Sequence, residues 1–421
     1  MFKRISVLGL GYIGLPTAAM FASRKLEVIG VDVNPKKVDM INKGKIHLVE
    51  PDLDMLVHAA VQEGYLRATL HAEPSQAFLI AVPTPFKGNY EPDLSYIHSA
   101  AKMIAPVLEK GNLVVLESTS PVGTTEQLAR WLAELRMDLT FPHQAEFDPD
   151  INVSHCPERV LPGHVVRELV ENDRVIGGMS PHCSKRSIQL YRSFVKGDCV
   201  VTNARTAEMS KLTENASRDV SIAFANELSL ICDRLNIDVW ELITLANRHP
   251  RVNILKPGPG VGGHCIAVDP WFIVSSAPQE ARLIHTARVI NDAKPDWVVS
   301  KVRDEVANFI LAHPERKAAG ITIACLGLAF KADIDDLRES PALDIANKLA
   351  DTLPCNLRVV EPNISVIPQS LKGKAQLVSV ELALSTADVV IILVDHMQFK
   401  AVELDKFAGK RVIDTRGLLN K

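Results

Sequence analysis

Short, almost uninterrupted apolar runs recur along the first third of the chain, alternating with segments whose apolar positions return every three or four residues. Ile5–Leu8, Glu27–Val31, Phe78–Val82 and Leu113–Glu117 read as strands, because a strand covered on both faces shows no polar alternation. Pro16–Arg24 and Tyr96–Leu108 read as helices. Past Asn203 the texture changes. Met209, Leu212, Ala216, Val220, Ala223, Phe224, Leu228 and Ile231 keep helical spacing, which predicts one long helix over 206–234. Helical patterns continue to about residue 311, interrupted by the glycine-rich Gly258–Gly263. Strand-like runs return at Ile321–Leu326, Leu357–Val360, Val389–Val394 and Arg411–Ile413. The expected fold is α/β, with two Rossmann-like doubly wound parallel-sheet domains at 1–202 and 313–421, joined by a helical segment at 203–312. The last domain echoes the first, one strand ending at Gly327 and the next at Glu361.

Composition narrows the classes. The chain has 421 residues, enough for two or three domains, and its 47% hydrophobic and 23% charged residues are ordinary for a globular protein. Lys+Arg 47 against Asp+Glu 50 leaves a net charge of −3, so there is no global pull towards nucleic acid or an anionic membrane. Seven cysteines without a CxxC pair make neither a disulfide framework nor a zinc knuckle, and no metal is expected. Lys3-Arg4 ahead of the uncharged Ile5–Ser23 superficially resembles a signal peptide. Gly9, Gly11, Gly14 and Pro16 inside that stretch, with no small-residue cleavage pattern after it, argue for a cytoplasmic protein instead.

The first candidate site is Gly9-Leu10-Gly11-Tyr12-Ile13-Gly14, a GxGxxG that follows a strand and opens a helix. Its glycines allow a tight turn and let the backbone approach a pyrophosphate at a helix N-terminus. Asp32 ends the next strand, where its carboxylate would accept ribose hydroxyls and repel a 2′-phosphate, favouring NAD over NADP. Thr84 and Thr119 follow later strand ends, where ligands of parallel sheets gather, and Thr124 and Thr125 start the next helix. Helix capping is the ordinary role of such hydroxyls.

Glu208, Lys211, Asn215 and Arg218 form one polar stripe on the long helix, a pattern that is ordinarily a solvated face. The glycine loop Pro257–Gly263, with Gly262 near its end, runs through His264 into Cys265 and shifts that balance. So many glycines bring backbone close to a ligand and present the thiol from a tight turn, with a nearby lysine favouring the nucleophilic thiolate. Asp269 follows one helical turn later as a possible base. The other six cysteines read as inert. Glu158, Arg159 and Val160 supply charge and contact after the first domain's strands, and His249-Pro250-Arg251 adds a basic element before the glycine loop. Phe330-Lys331 and Arg338 follow the strand end at Gly327; without a GxGxxG there, they suit a nucleotide diphosphate rather than a second dinucleotide.

GLGYIGLP, ESTSPVGTTE, SKLTENASRD, GPGVGGHCIAVDP and GLAFKADIDDLRESPA occur in this order, and together they resemble the UDP-glucose/GDP-mannose dehydrogenase family, the nucleotide-sugar 6-dehydrogenases. The resemblance spans essentially the whole chain. It implies a homodimer formed through the central helices, with Arg251 reaching the partner subunit's nucleotide-sugar. It implies a UDP-sugar substrate held by Arg159, Val160, Lys211, Asn215, Arg218, His249, Gly262, Phe330, Lys331 and Arg416, with Arg338 near the cofactor or interface. Pro162 stands where UDP-glucose members carry a second glutamate, which points to the branch that oxidises UDP-N-acetyl-D-mannosamine for enterobacterial common antigen; UDP-GlcNAc and UDP-glucose are the alternatives.

Oxidising a primary alcohol to a carboxylate needs two hydride transfers, and the intermediate aldehyde must first gain a nucleophile. Cys265 is assigned that addition, Lys211 and Asn215 the oxygen at C6, and Asp269, Glu158 and Thr119 the positioning of water or substrate. A two-electron hydroxyacid dehydrogenase and a non-catalytic nucleotide-sugar sensor are the rival readings.

Overall fold

The computed structural model describes residues 2–48, 50–145, 148–160, 163–263 and 265–419, so Pro162 and His264 lie outside the described residues. The chain divides into two compact units, Met1–Glu214 with Ser275–Pro278, and Asn215–Val274 with Gln279–Lys421.

The first unit is built on eight strands: β1 (Arg4–Leu8), β2 (Glu27–Val31), β3 (Leu66–Thr69), β4 (Ala77–Ile80), β5 (Leu113–Leu116), β6 (Asn152–His155), β7 (Arg174–Gly178) and β8 (Cys199–Asn203). Their order is β3-β2-β1-β4-β5-β6-β7-β8. All neighbours are parallel except β6 and β7, so the last two strands run against the rest. The strands read from sequence are present as β1, β2, β4 and β5, with ends shifted by two residues or fewer. They are predominantly apolar because helices cover both faces. Val7, Leu79 and Val115 pack on one side with the Gly14–Ser23 helix, and Leu8, Ile80 and Leu116 on the other with the Ser95–Ile104 and Thr124–Leu135 helices.

In the second unit, β9 (Thr322–Leu326), β10 (Asn356–Val360), β11 (Ala375–Leu377), β12 (Val389–Ile392) and β13 (Arg411–Asp414) form an all-parallel sheet. Its order, β11-β10-β9-β12-β13, repeats that of the first five strands of the other sheet. The predicted long helix is continuous from Ala204 to Leu235, and a second one runs from Arg282 to Ala312. Val298, Val302, Val306 and Phe309 of the latter pack on Ile323, Val359 and Ile391.

Each unit also buries charge. In the first, Arg174 donates to Glu158 at 2.8 Å and lies 3.6 Å from Glu117, while the Tyr191 hydroxyl donates to Glu117 at 2.6 Å. Burial raises the Glu117 carboxyl strongly, Arg174 offsets only part of that, and Glu158 adds to it, leaving Glu117 at about 7. In the second unit, Arg288 donates to Asp219 at 2.7 Å with both side chains almost fully buried, and Asn291 donates to the same oxygen at 2.8 Å. Asn226 donates to Asn291 at 2.9 Å and accepts from the Gly258 amide at 2.9 Å. The two long helices and the glycine loop therefore share one polar chain.

Removing one end of a buried pair leaves an uncompensated charge, so Arg288→Ala is expected to destabilise the fold by about 3–5 kcal/mol. Urea midpoints would show this; a loss no larger than that of the exposed Arg167→Ala would mean that Asp219 is not buried in solution.

The Glu117 carboxyl holds its proton more tightly folded than unfolded. Its burial therefore costs nothing below about pH 4.5, where both states are protonated, and the cost grows as pH rises towards 7. A shift of this size amounts to up to about 3 kcal/mol. Glu117→Gln should gain on the parent protein by that margin between pH 5 and 8. Parallel urea midpoints across the range would refute it.

Candidate active site

In the first unit the predicted cofactor residues converge on the carboxyl ends of β1, β2, β4 and β5. Gly9 has φ +89, and a Cβ there would stand 2.5 Å from the Ala81 carbonyl oxygen; one on Gly14 would stand 1.8 Å from the Gly9 oxygen. The turn closes only with glycine at both positions. A Cβ on Gly11, by contrast, would meet nothing within 4 Å, so the loop is open there. The helix that starts at Gly14 has no side-chain cap on Ile13 and no acidic residue in its first turn, and Tyr12 beside it is half-buried. Asp32 is 8% exposed and accepts the Leu10 amide at 3.1 Å and the Asn34 amide at 2.9 Å. A carboxylate offers about four acceptor positions, so capacity for ribose hydroxyls remains. Open loop, uncapped helix end and inward carboxylate fit a dinucleotide's pyrophosphate and ribose.

The threonines are more committed than sequence suggests. The Thr84 hydroxyl donates to the Thr119 carbonyl at 2.6 Å, tying together the loops after β4 and β5. Thr125 is fully buried, and its hydroxyl donates to Glu208 at 2.6 Å. Glu208 also accepts the Gly123 and Thr125 amides at 2.6 and 2.7 Å, so it caps the Thr124–Leu135 helix. The stripe Glu208, Lys211, Asn215, Arg218 is thus not a uniform solvated face. Glu208 is fully buried, Lys211 and Asn215 are half-buried, and Arg218 is exposed. Periodicity ranks faces of a helix; it carries no sign that a distant loop brings three donors to one of them.

Glu158 turns into the buried cluster with Arg174 rather than outward, and its neighbour Arg159 pairs with Glu214 at 2.7 Å. Val160 is half-buried against the first core. Arg174 and Tyr191 stand inside or beside apolar runs without a motif, and Glu117, though it opens the ESTSPVGTTE stretch, carries no sequence sign of its burial with them.

In the second unit Cys265 is exposed, and the Asp269 amide donates to its carbonyl at 2.8 Å, closing the helical turn expected between them. The Asp269 side chain is 3% exposed and accepts a short hydrogen bond from Asn215. The glycines before the thiol make close contacts of their own. Cβ atoms on Gly262 and Gly263 would stand 2.9 and 2.8 Å from Phe330 atoms, and one on Gly258 would stand 2.6 Å from the Arg416 guanidinium. The loop is glycine-rich, at least in part, because it lies directly against the C-terminal segment. Phe330 is half-buried there, while Lys331 is exposed. Arg338 is exposed and pairs with Asp336 at 2.6 Å, and Arg416 pairs with Asp395 at 2.8 Å. His249 and Arg251 are both exposed, the Arg251 amide donating to the His249 ring at 3.3 Å.

Family descriptions match three consecutive stretches: the UDP-glucose/GDP-mannose dehydrogenase NAD binding domain at 3–195, central domain at 205–293 and UDP binding domain at 324–421. Over 417 residues the chain is 63% identical to an NDP-N-acetyl-D-galactosaminuronic acid dehydrogenase of Ralstonia nicotianae, covering 99% of this chain and 96% of that protein. It is also 63% identical to a UDP-N-acetyl-D-mannosamine dehydrogenase of Yersinia pestis, covering 99% of each. Among solved structures it is similar to the UDP-D-ManNAc dehydrogenase of Pyrococcus horikoshii, with TM-score 0.87, 40% identity, and 99% and 96% of the two chains covered. The UDP-N-acetyl-mannosamine dehydrogenase of Staphylococcus aureus gives TM-score 0.85 and 39% identity, with 99% and 95% covered. Matched from the glycine turn to its last strand, the chain belongs to the UDP-glucose/GDP-mannose dehydrogenase family.

Proposed function

We propose that the protein oxidises the C6 primary alcohol of UDP-N-acetyl-D-mannosamine to the carboxylate, consuming two NAD. The observation that carries this reading is an exposed thiol, Cys265, one turn before a buried carboxylate, Asp269, that is hydrogen-bonded to Asn215. An exposed cysteine in a tight glycine loop is placed to attack; a buried one is not. NAD, which Gly9–Gly14 and Asp32 would hold, would supply the hydride acceptor for each oxidation.

Lys211 takes the hydroxyl proton in the first oxidation, directly or through water, and with Asn215 holds the oxygen at C6. Cys265 then adds to the aldehyde, forming the C–S bond of a thiohemiacetal. Loss of the second hydride with the hydroxyl proton leaves a thioester. Water attacks that carbonyl, the C–S bond breaks, and the acid leaves with the thiol restored. We assign the positioning of this water to Asp269, because Glu158 is engaged by Arg174. Thr119 lines the cofactor side, and Arg338 stands near cofactor or interface. Arg159, Val160, Arg218, His249, Gly262, Phe330, Lys331 and Arg416 bind the UDP-sugar.

We further propose a division into residues 1–202, 203–312 and 313–421, and a homodimer made by the middle part, with Arg251 completing the partner's site. Phe224, Ile231 and Leu235 on the first long helix, and Leu283 and Val289 on the second, are large, apolar and more than a third exposed, which supports a pairing surface. Cysteines without a paired pattern support the cytoplasm. Among the described residues no helix is long and apolar enough to cross a membrane. A polysaccharide precursor such as that of enterobacterial common antigen is the product's expected use. The equal identity to a relative named for N-acetyl-D-galactosaminuronic acid supports a second reading, a galacto-configured N-acetylhexosamine.

Incubating the protein with each UDP-sugar and NAD should release two NADH per sugar, fastest with UDP-N-acetyl-D-mannosamine. One NADH per sugar would support a two-electron dehydrogenase, and tight binding without NADH a sensor. Cys265→Ala should halt the reaction at or before the aldehyde, and Cys265→Ser should trap an acyl adduct detectable by mass spectrometry. Uronic acid formed by Cys265→Ala at the parental rate would make the thiol structural.

Cofactor choice is tested separately. The unmodified protein should strongly prefer NAD, and Asp32→Ser should partly admit NADP. Equal use of both by the unmodified protein would remove Asp32 from the ribose site.

A further inference from the structure

The second sheet repeats the first at the level of individual hydrogen bonds. Leu8 stands opposite Val31 and Ile80 in one sheet, as Leu326 stands opposite Val360 and Ile392 in the other. Gly9 therefore matches Gly327, Asp32 matches Glu361, and Thr84 matches His396. The Gly9 amide donates to Val31 at 2.8 Å, and the Gly327 amide to Val360 at 2.8 Å. Asp32 accepts the Leu10 amide; Glu361 accepts the Leu328 and Ala329 amides at 2.8 and 2.9 Å.

The repeat breaks at His396. Where Thr84 is a small hydroxyl, His396 is a fully buried ring whose Nε2 lies 3.0 Å from Glu361. The Asp333 amide donates to Nδ1 at 2.9 Å, so Nδ1 is an acceptor and the ring proton sits on Nε2, donated to Glu361. Asp333 answers by accepting the Met397 amide at 2.9 Å, and Asn363 donates to both Glu361 and Nδ1. Ser340 donates to the Leu328 carbonyl at 2.6 Å, closing the base of the loop. In the first sheet only four residues separate Gly9 from its helix. In the second, the loop from Gly327 continues to the helix at Pro341 and carries Phe330, Lys331 and Arg338. Phe330 packs against Gly263 and, together with Glu339 and Pro341, against Gly262, just before Cys265.

We propose that His396, held by Glu361, is a positioning residue for the UDP-sugar: it fixes the loop that presents Phe330 and Lys331 and supports the glycine loop of Cys265. This rests on the proposed function for the substrate's identity. Glu361 cannot do this alone, because the two loop amides it holds lie at the loop's start, and among the described residues Asp333 is tied down through the 396–397 segment alone.

The test compares His396→Leu, which removes both ring nitrogens, with His396→Gln, which keeps one N–H donor and one acceptor. His396→Leu should raise KM for the UDP-sugar about tenfold or more, since misplacing a binding group costs that much, while KM for NAD stays within about twofold. His396→Gln should recover part of the loss. UDP alone, titrated calorimetrically into the full-length proteins, should weaken in the same order. The proposal is overturned if UDP affinity and sugar KM of His396→Leu match the parent, if NAD suffers equally, or if Gln is no better than Leu. Should His396→Leu fail to fold, Asn363→Ala removes the donor shared by Glu361 and Nδ1. It should give the same split in smaller measure, and an unchanged UDP affinity would count against the clamp. Absence of NADH from the parent protein with every UDP-sugar would instead sink the proposed reaction, while the UDP titration would still report on His396.

Discussion

Both units depend on one arrangement: a carboxylate at the end of one strand binds the backbone amides of the loop that leaves the neighbouring strand. A tight turn at the carboxyl end of a parallel strand leaves amides without a ladder partner, and a buried amide without an acceptor is costly. Asp32 satisfies Leu10, and Glu361 satisfies Leu328 and Ala329. Because the acceptor comes from the adjacent strand, loop and sheet are held in one geometry. Everything the loop then presents, whether an open helix end or the Phe330-Lys331 pair, inherits that precision.

What was legible in the sequence follows from the same physics. Strands covered on both faces announce themselves as apolar runs, and the inner strands β1, β2, β4, β5, β9, β10 and β12 were read within a residue or two. The edge strand β13 was read as well, but β3, β6, β7, β8 and β11 were not. Asn152–His155 has three polar residues of four, Arg174–Gly178 ends in two glycines, Cys199–Asn203 is largely exposed, and Ala375–Leu377 has only three residues. None offers a run long or apolar enough to separate it from a loop.

Site residues divide in a similar way. The glycine turn, Asp32, Cys265 and Asp269 stand out in the sequence because local spacing alone suggests a chemistry for them. Glu208, Arg174 and His396 do not, since each matters through partners 16 to 85 residues away. The glycines before Cys265 were read as room for a ligand. The structure adds that the room is shared with Phe330 and Arg416, so their absence of side chains also serves packing within the protein. A glycine-rich stretch signals close approach; the sequence does not say of what.

The repeat between the two sheets shows how one frame can serve two ligands. At Asp32 the carboxylate binds two amides and keeps acceptor capacity, its loop short and open at Gly11. At Glu361 the amides of Leu328, Ala329 and Asn363, the Asn363 side chain and the His396 ring all converge on the same two oxygens. A carboxylate so engaged has little left for ribose hydroxyls, and a buried ring now stands at the place of a threonine. Where the first sheet ends in a carboxylate with acceptor capacity to spare, the second ends in one committed to its own loop. What stays open in the second sheet is the long loop that the carboxylate holds, where Lys331 and Arg338 are exposed. The same strand order can therefore carry a dinucleotide site in one unit and a differently built site in the other, without any change in how the sheet itself is made.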